Sequence, residues 1–143
     1  MPASSASTLE RSSISSPGSS GPPYAVRMVR YTRLFTDDDG ISRFEDVDVP
    51  ITPEQPVPGE LSVSTPMTAS AVLFAASAAN GGHPEQPEAR RQILVGLTGS
   101  VEVITQDETR VFGPGDALLA EDLEGPGHSS RTSEGFTALV VVL

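Results

Sequence analysis

The chain has 143 residues, 37% of them hydrophobic, and a formal net charge of −10, which is the size and composition of one soluble globular domain. The acidic balance, without a basic stripe interleaved with aromatic residues, argues against a nucleic-acid partner. Cysteine is absent and all nine basic residues are arginine, which excludes thiolate nucleophiles, disulfides and lysine Schiff bases. With only two histidines, one chain cannot assemble a three-histidine metal site.

The amino-terminal segment differs in composition from the rest of the chain. Residues 1–23 are rich in serine, proline and glycine, and we expect a disordered tail, because ordering it would cost more conformational entropy than burial could return. Residues 24–143 then form the single folded domain. No apolar run approaches the roughly 18 residues that cross a bilayer, and the amino terminus lacks the basic-then-apolar order of a secretion signal. We therefore expect a cytoplasmic protein without a membrane partner.

The first part of the folded domain predicts a pair of strands followed by an irregular connection. Residues 24–35 and 42–49 alternate between two side-chain faces, as strands do, and the acidic run at 37–40 is a turn signal between them. Residues 50–66 contain five prolines, which disfavour regular sheet pairing. This segment is predicted to be a surface connection with a short edge strand at 61–64.

The second part of the folded domain predicts short apolar strands separated by turns. Periodicity alone allows residues 69–77 to be a buried helix or a buried strand, and their length and Pro and Gly flanks favour the strand. Further strands are predicted at 92–97, 100–105 and 109–112, where turn-forming residues end each run. The β-branched run at 136–143 is typical of a strand covered on both faces. About eight or nine such strands indicate an all-β sandwich or barrel.

Several short motifs follow one another in a defined order. His83 precedes an Arg-Gln pair that leads into a strand ending at Gly99, and a Pro-Gly-Asp turn at 114–116 precedes His128, which follows Gly-Pro-Gly. This order resembles that of a small single-domain cupin, and the similarity extends over residues 24–143. The resemblance implies an all-β, single-domain, cupin-type jelly-roll β-barrel. It also implies a site at the barrel mouth, where the family holds a metal with three histidines and a glutamate.

The sequence departs from the family pattern at the metal ligands. Gln92 stands where the family has its glutamate, and its neutral carbonyl is a weak ligand, although its amide can orient a substrate oxygen. His83 is the single histidine upstream of Gln92, where the family has two. The prediction is therefore a site without a metal cofactor, and a divalent ion such as Fe, Mn, Ni or Zn is the alternative.

The leading hypothesis is a metal-independent enzyme that binds a small organic molecule in the barrel and transfers protons, as an isomerase, cyclase or lyase does. His128 is the candidate general acid or base, because an imidazole titrates near working pH. Asp122 or Glu121 would fix its tautomer, and Gln92 or His83 would hold a polar substrate group. The predicted catalytic residues are thus His128 and Asp122, and the predicted substrate-binding residues are His83 and Gln92.

Other interpretations of the same residues stay open. His128 could donate a hydrogen bond that only closes the glycine-rich loop before it, and Asp122 could cap a turn. The protein could be a non-catalytic ligand-binding or sensor cupin. It could also be a metal-dependent dioxygenase, with a facial triad of His83, His128 and a carboxylate from Glu85 or Glu88.

The expected partners are a small-molecule ligand or substrate and a second copy of the chain. Single-domain cupins commonly pair, so the resemblance implies a homodimer. The apolar run at 139–143 also favours a homodimer, because apolar surface of this kind is usually covered by a partner.

Overall fold

The computed structural model describes residues 27–51 and 61–143. Within these ranges the chain forms ten strands and no helix, and accordingly no helix that could span a bilayer. The strands are β1 (Arg27–Thr36), β2 (Ser42–Ile51), β3 (Ala71–Ser77), β4 (Gly82–Gln86), β5 (Gln92–Gly99), β6 (Val101–Ile104), β7 (Thr109–Phe112), β8 (Ala117–Glu121), β9 (His128–Arg131) and β10 (Phe136–Val142). The all-β prediction is confirmed. The predicted tail at 1–23 lies outside the described residues.

The last eight strands form a jelly roll. They pair as nested hairpins, β3 with β10, β4 with β9, β5 with β8 and β6 with β7. The pairs distribute between two sheets, with the orders β8-β5-β10-β3 and β4-β9-β6-β7. This nesting defines the double-sheet jelly roll of the cupin type, which confirms the predicted architecture. The amino-terminal hairpin, β1 and β2, extends the first sheet, where β1 lies parallel to β8.

The predicted strands can be compared with the observed ones directly. Strands occur, with small shifts in their bounds, wherever the sequence predicts them, except at residues 61–64, which form no strand. That prediction is wrong because the larger sheet ends at β3, so the segment has no neighbour to pair with, and Leu61 is 90% exposed. The short strands β4, β8 and β9 are not among the predicted elements.

The core lies between the two sheets. Its central cluster consists of five buried residues from β1, β6, β7 and β8, namely Leu34, Val101, Val103, Phe112 and Leu118. Leu34 is fully buried, so the amino-terminal hairpin is part of the core of the jelly roll and does not merely pack against its outside.

Strand β10 lies within the larger sheet, between β5 and β3. Val140 and Val142 on one face are buried, whereas Leu139 and Val141 on the other face are half-buried. The expectation of a strand covered on both faces is therefore met completely on one face and partly on the other. The homodimer, inferred in part from this run, stays a prediction.

Two glycines in turns allow a test of backbone packing. Gly99 has a φ of +70°, and a Cβ added there would lie 2.1 Å from the carbonyl oxygen of Gly135, whereas Gly115 has a φ of +86° and no atom within 4 Å of the added Cβ. For Gly115→Ala we expect the left-handed backbone cost alone, about 1–2 kcal/mol in the free energy of unfolding. Gly99→Ala should lower the free energy of unfolding clearly more, because the backbone at Gly135 must also move. Urea unfolding of both variants measures the difference, and equal losses would contradict the close contact.

Candidate functional site

The candidate site lies at the end of the sandwich where two loops cross between the sheets. Residues 87–91 connect β4 to β5, and residues 122–127 connect β8 to β9. The backbone N–H of Glu88 donates a hydrogen bond to the carbonyl oxygen of Asp122 at 3.0 Å. This bond ties the loops together beside His128, which begins β9 and does not lie inside the glycine-rich loop as the sequence suggests.

The register of the smaller sheet directs both histidines of the chain towards the interior. His83 of β4 pairs with Ser130 of β9, and Ser130 pairs with Val103 of β6. Val103 belongs to the buried core, and directly paired residues share a face of a sheet. His128 precedes Ser130 by two residues on the same strand, so it faces the same side.

Asp122 and His128 form a buried pair. The ring nitrogen Nδ1 of His128 lies 2.6 Å from Oδ2 of Asp122, and the hydroxyl of Ser42 donates to the same oxygen at 2.7 Å. Asp122 and Ser42 are fully buried and His128 is 3% exposed. The second carboxylate oxygen of Asp122, Oδ1, has no hydrogen-bond partner in the part of the chain that the structure describes. An oxygen held in this way fixes both the orientation and the Nδ1 proton of the imidazole.

Glu88 faces the other ring nitrogen of His128. The distance from His128 Nε2 to Glu88 Oε2 is 3.4 Å, and the amide nitrogen of Gln92 donates to Glu88 Oε1 at 3.3 Å. The side chain of Glu88 is 20% exposed, compared with 4% for His128 and 0% for Asp122. The three side chains therefore form an array in which Asp122 and His128 are buried and the carboxylate of Glu88 reaches the surface.

The charge state of His128 follows from its two acidic neighbours. Burial alone would lower the pKa of His128, but the hydrogen bonds and charges of Asp122 and Glu88 outweigh burial and raise this pKa to about 9. Carboxylates accept hydrogen bonds and do not donate them, so both ring nitrogens carry hydrogen when both contacts are made. His128 is thus an imidazolium at neutral pH.

His83 lies against His128 without being hydrogen-bonded to it. The two ring centroids are 5.0 Å apart, and the ring planes meet at 71° in an edge-to-face contact. His83 Nδ1 is 2.8 Å from the carbonyl oxygen of Pro84, and since a carbonyl only accepts, Nδ1 is the donor. In the neutral ring this leaves Nε2 of His83 as a hydrogen-bond acceptor.

Glu121, the alternative partner for His128 in the sequence analysis, is turned away from the site. Its carboxylate accepts hydrogen bonds from Arg33 and from Arg91, the latter at 2.6 Å. Burial would raise the pKa of Glu121, but the two arginines outweigh burial and hold this pKa below its usual range. Asp122 is therefore the acidic residue that contacts His128, and Glu121 belongs to an ion-pair cluster on the other face of the sheet.

The predicted site residues come together only in part. His128, Asp122 and His83 are adjacent, whereas Gln92 contacts Glu88 and has no hydrogen bond to either histidine. Sequence reasoning missed Ser42 entirely and considered Glu88 only as a metal ligand. The single sequence signal for Glu88 is its place in the cluster of polar residues that begins at His83.

The donor set does not fit a metal site of the family's kind. Among the described residues no group of three or more His, Cys, Asp or Glu side chains is arranged to hold an ion. In the alternative triad, which takes its carboxylate from Glu85 or Glu88, Glu85 is exposed. Glu88 lies 3.4 Å from His128 Nε2, but no third His, Asp or Glu side chain among the described residues completes a metal site with them. Position 92, where the family has its glutamate, holds a neutral amide.

Comparison with known proteins finds similarity to solved structures only. No protein-family model and no curated protein matches the chain. Similar solved structures include the polyketide cyclase RemF from Streptomyces resistomycificus, with 21% identity, 50% of this chain and 51% of that chain covered, and a TM-score of 0.42. A Cupin 2 conserved barrel domain protein from Salinispora arenicola has 18% identity, coverage of 56% and 69%, and a TM-score of 0.40. The Cnp3 cupin domain of Schizosaccharomyces pombe has 13% identity, coverage of 80% and 82%, and a TM-score of 0.42.

The Salinispora arenicola and Schizosaccharomyces pombe structures are those of cupin domains. The chain spans about half of the cyclase's length. The jelly-roll fold follows from the nested strand pairing of this chain, and the activity has to be argued from the site itself.

Proposed function

We propose that this protein is a metal-independent enzyme that transfers protons to and from a small organic molecule, as an isomerase, cyclase or lyase does. The observation that carries the proposal is the array of Asp122, His128 and Glu88, in which a buried imidazole has a carboxylate at each nitrogen. Perturbed titratable groups of this kind cluster at functional sites. Burying charged groups costs free energy of folding, so their presence in the interior calls for a functional reason.

The proposed chemistry begins at a carbon atom next to a carbonyl group. Isomerisation, cyclisation and elimination can all start with removal of a proton from such a carbon, followed by return of a proton elsewhere. The imidazolium of His128 supplies positive charge that stabilises the developing enolate, and Asp122 holds the ring in place. His83 and the amide of Gln92 are the proposed contacts for polar groups of the substrate.

Stability alone does not explain why three ionisable groups lie together in this array. Away from this array the buried residues that the structure describes carry no charge, and replacing a buried ion pair with apolar residues often costs no stability. The orphaned Oδ1 of Asp122 adds a further cost of burial. Retaining three ionisable groups at the loop-bearing end of the sandwich is what a proton-transfer site requires.

The test is exchange of carbon-bound hydrogen with solvent. In D₂O, the wild-type protein should accelerate deuterium incorporation into at least one of dihydroxyacetone, pyruvate and 2-oxobutyrate, measured by proton NMR. His128→Ala should lower the rate roughly 10²- to 10⁴-fold, the usual contribution of a positioned acid or base. Ser129→Ala, at the neighbouring position of β9, is the matched control and should retain the wild-type rate.

Circular dichroism of each variant shows whether the fold is kept. A wild-type protein that leaves all three compounds at the solvent-only exchange rate would contradict the proposal. If it nevertheless binds one of them with an affinity that His128→Ala does not change, a non-catalytic binding role is favoured instead.

A further inference from the structure

We propose that Glu88 is the catalytic residue that exchanges the proton with the substrate, and that His128 acts through it as a positioning residue. This inference rests on the proposed function and goes beyond it, because it moves the point of contact from the imidazole to the carboxylate. It assigns a role to a residue that the sequence analysis considered only as a possible metal ligand.

Exposure distinguishes the members of the array. The side chain of His128 is 4% exposed and that of Asp122 is 0% exposed, whereas Glu88 is 20% exposed. A substrate entering from solvent therefore meets Glu88 before it can reach either ring nitrogen of His128. His128 Nδ1 is hydrogen-bonded to Asp122 at 2.6 Å, and Nε2 points at Glu88. Glu88 is therefore the member of the array that a substrate can contact.

The contacts of Glu88 suit a group that gains and loses a proton. Oε2 lies 3.4 Å from His128 Nε2, and Oε1 accepts from the Gln92 amide at 3.3 Å. Both contacts are longer than the usual 2.7–3.2 Å of N–H···O bonds, roughly the range in which hydrogen bonds are strong, so the carboxylate is held loosely compared with Asp122. His83, the other half-buried group, has only a ring contact with His128 and is not hydrogen-bonded to the array.

The step balances within the site. The C–H bond next to the substrate carbonyl breaks and its proton forms an O–H bond on Glu88. The C–H electron pair becomes a carbon–carbon double bond, and the π electrons of the carbonyl move onto its oxygen to give an enolate. The cation of His128, fixed by Asp122, stabilises this negative charge. Glu88 then returns the proton to a different atom of the substrate, which restores the carboxylate without an oxidant, reductant or second reactant.

The chain offers a matched control for the test. Glu85 lies three residues before Glu88 and is exposed, so Glu85→Gln makes the same change of charge outside the array. Deuterium exchange into dihydroxyacetone, pyruvate and 2-oxobutyrate is measured for wild type, Glu85→Gln, Glu88→Gln and Glu88→Asp. We expect Glu88→Gln to lower the exchange rate roughly 10²- to 10⁴-fold and Glu88→Asp to lower it less. Glu85→Gln should keep the wild-type exchange rate.

A second measurement separates contact with substrate from a merely structural role. In ¹⁵N NMR of the imidazole, Glu88→Gln should leave His128 hydrogen-bonded to Asp122 while exchange is lost. Wild-type protein without exchange activity would refute the proposed function. Active wild-type protein together with a Glu88→Gln variant as active as Glu85→Gln would overturn this inference alone.

Discussion

Replacing Asp122 with alanine should lower the free energy of unfolding by about 3–5 kcal/mol, the usual cost of leaving one member of a buried ion pair without its partner. Asp122 is fully buried and accepts hydrogen bonds from both His128 and Ser42. Its removal leaves the imidazolium and the hydroxyl without their acceptor in the interior. Urea unfolding at pH 6 measures the loss.

Ser42→Ala is the matched control for this change. It removes one neutral donor from the same oxygen and leaves the ion pair intact, so we expect a loss of about 1 kcal/mol. If Asp122→Ala were no more destabilising than Ser42→Ala, the Asp122–His128 pair would not be formed in solution.

The second large effect is on the pH dependence of stability. The pKa of His128 is about 9 in the folded protein, compared with an ordinary value of 6.5 for histidine. A pKa that is raised on folding stabilises the protein fully below the unfolded value, and this contribution is lost as pH rises through the folded value. The free energy of unfolding should therefore fall by about 3 kcal/mol between pH 6.5 and pH 9, at about 1.4 kcal/mol for each unit of pKa difference.

His128→Gln provides the comparison, because glutamine does not titrate. Urea unfolding at half-unit intervals across this range should give a falling curve for wild type and a much flatter one for the variant. A wild-type curve parallel to that of His128→Gln would show that the imidazole is not held between charged carboxylates.

The sequence predicts the Asp122–His128 contact because the two residues lie on either side of one turn. They are six positions apart and are separated by a Gly-Pro-Gly segment that brings the chain back on itself. Local turn chemistry of this kind can be recognised without knowing the fold. The identification of Asp122 over its neighbour Glu121 needed the structure, since only strand alternation decides which of the two faces the interior.

Ser42 could not have been found in the same way. It is 80 positions from Asp122 and reaches the site because β1 lies beside β8. The contact depends on long-range sheet order, for which the serine itself carries no local signal. Glu88 is a similar case, because its approach to His128 depends on a loop that crosses between the sheets.

The missed strands have a physical explanation as well. β4 contains Pro84, and proline within a run argues against a strand. The register of β4 against β9 shifts between His83 and Gln86, and this irregularity accommodates the proline. β8 and β9 are only five and four residues long, too short for a periodic pattern to stand out from the turns around them.

The amino-terminal hairpin supplies both Leu34 to the core and Ser42 to the buried carboxylate. The eight-stranded roll is therefore incomplete by itself, even though its own strands nest without β1 and β2. Severing the polypeptide between β2 and β3 would leave two fragments, one with Ser42 and the other with Asp122, His128 and Glu88. The proposed activity would then depend on their reassociation, so the eight-stranded roll and its amino-terminal hairpin operate as one unit of folding.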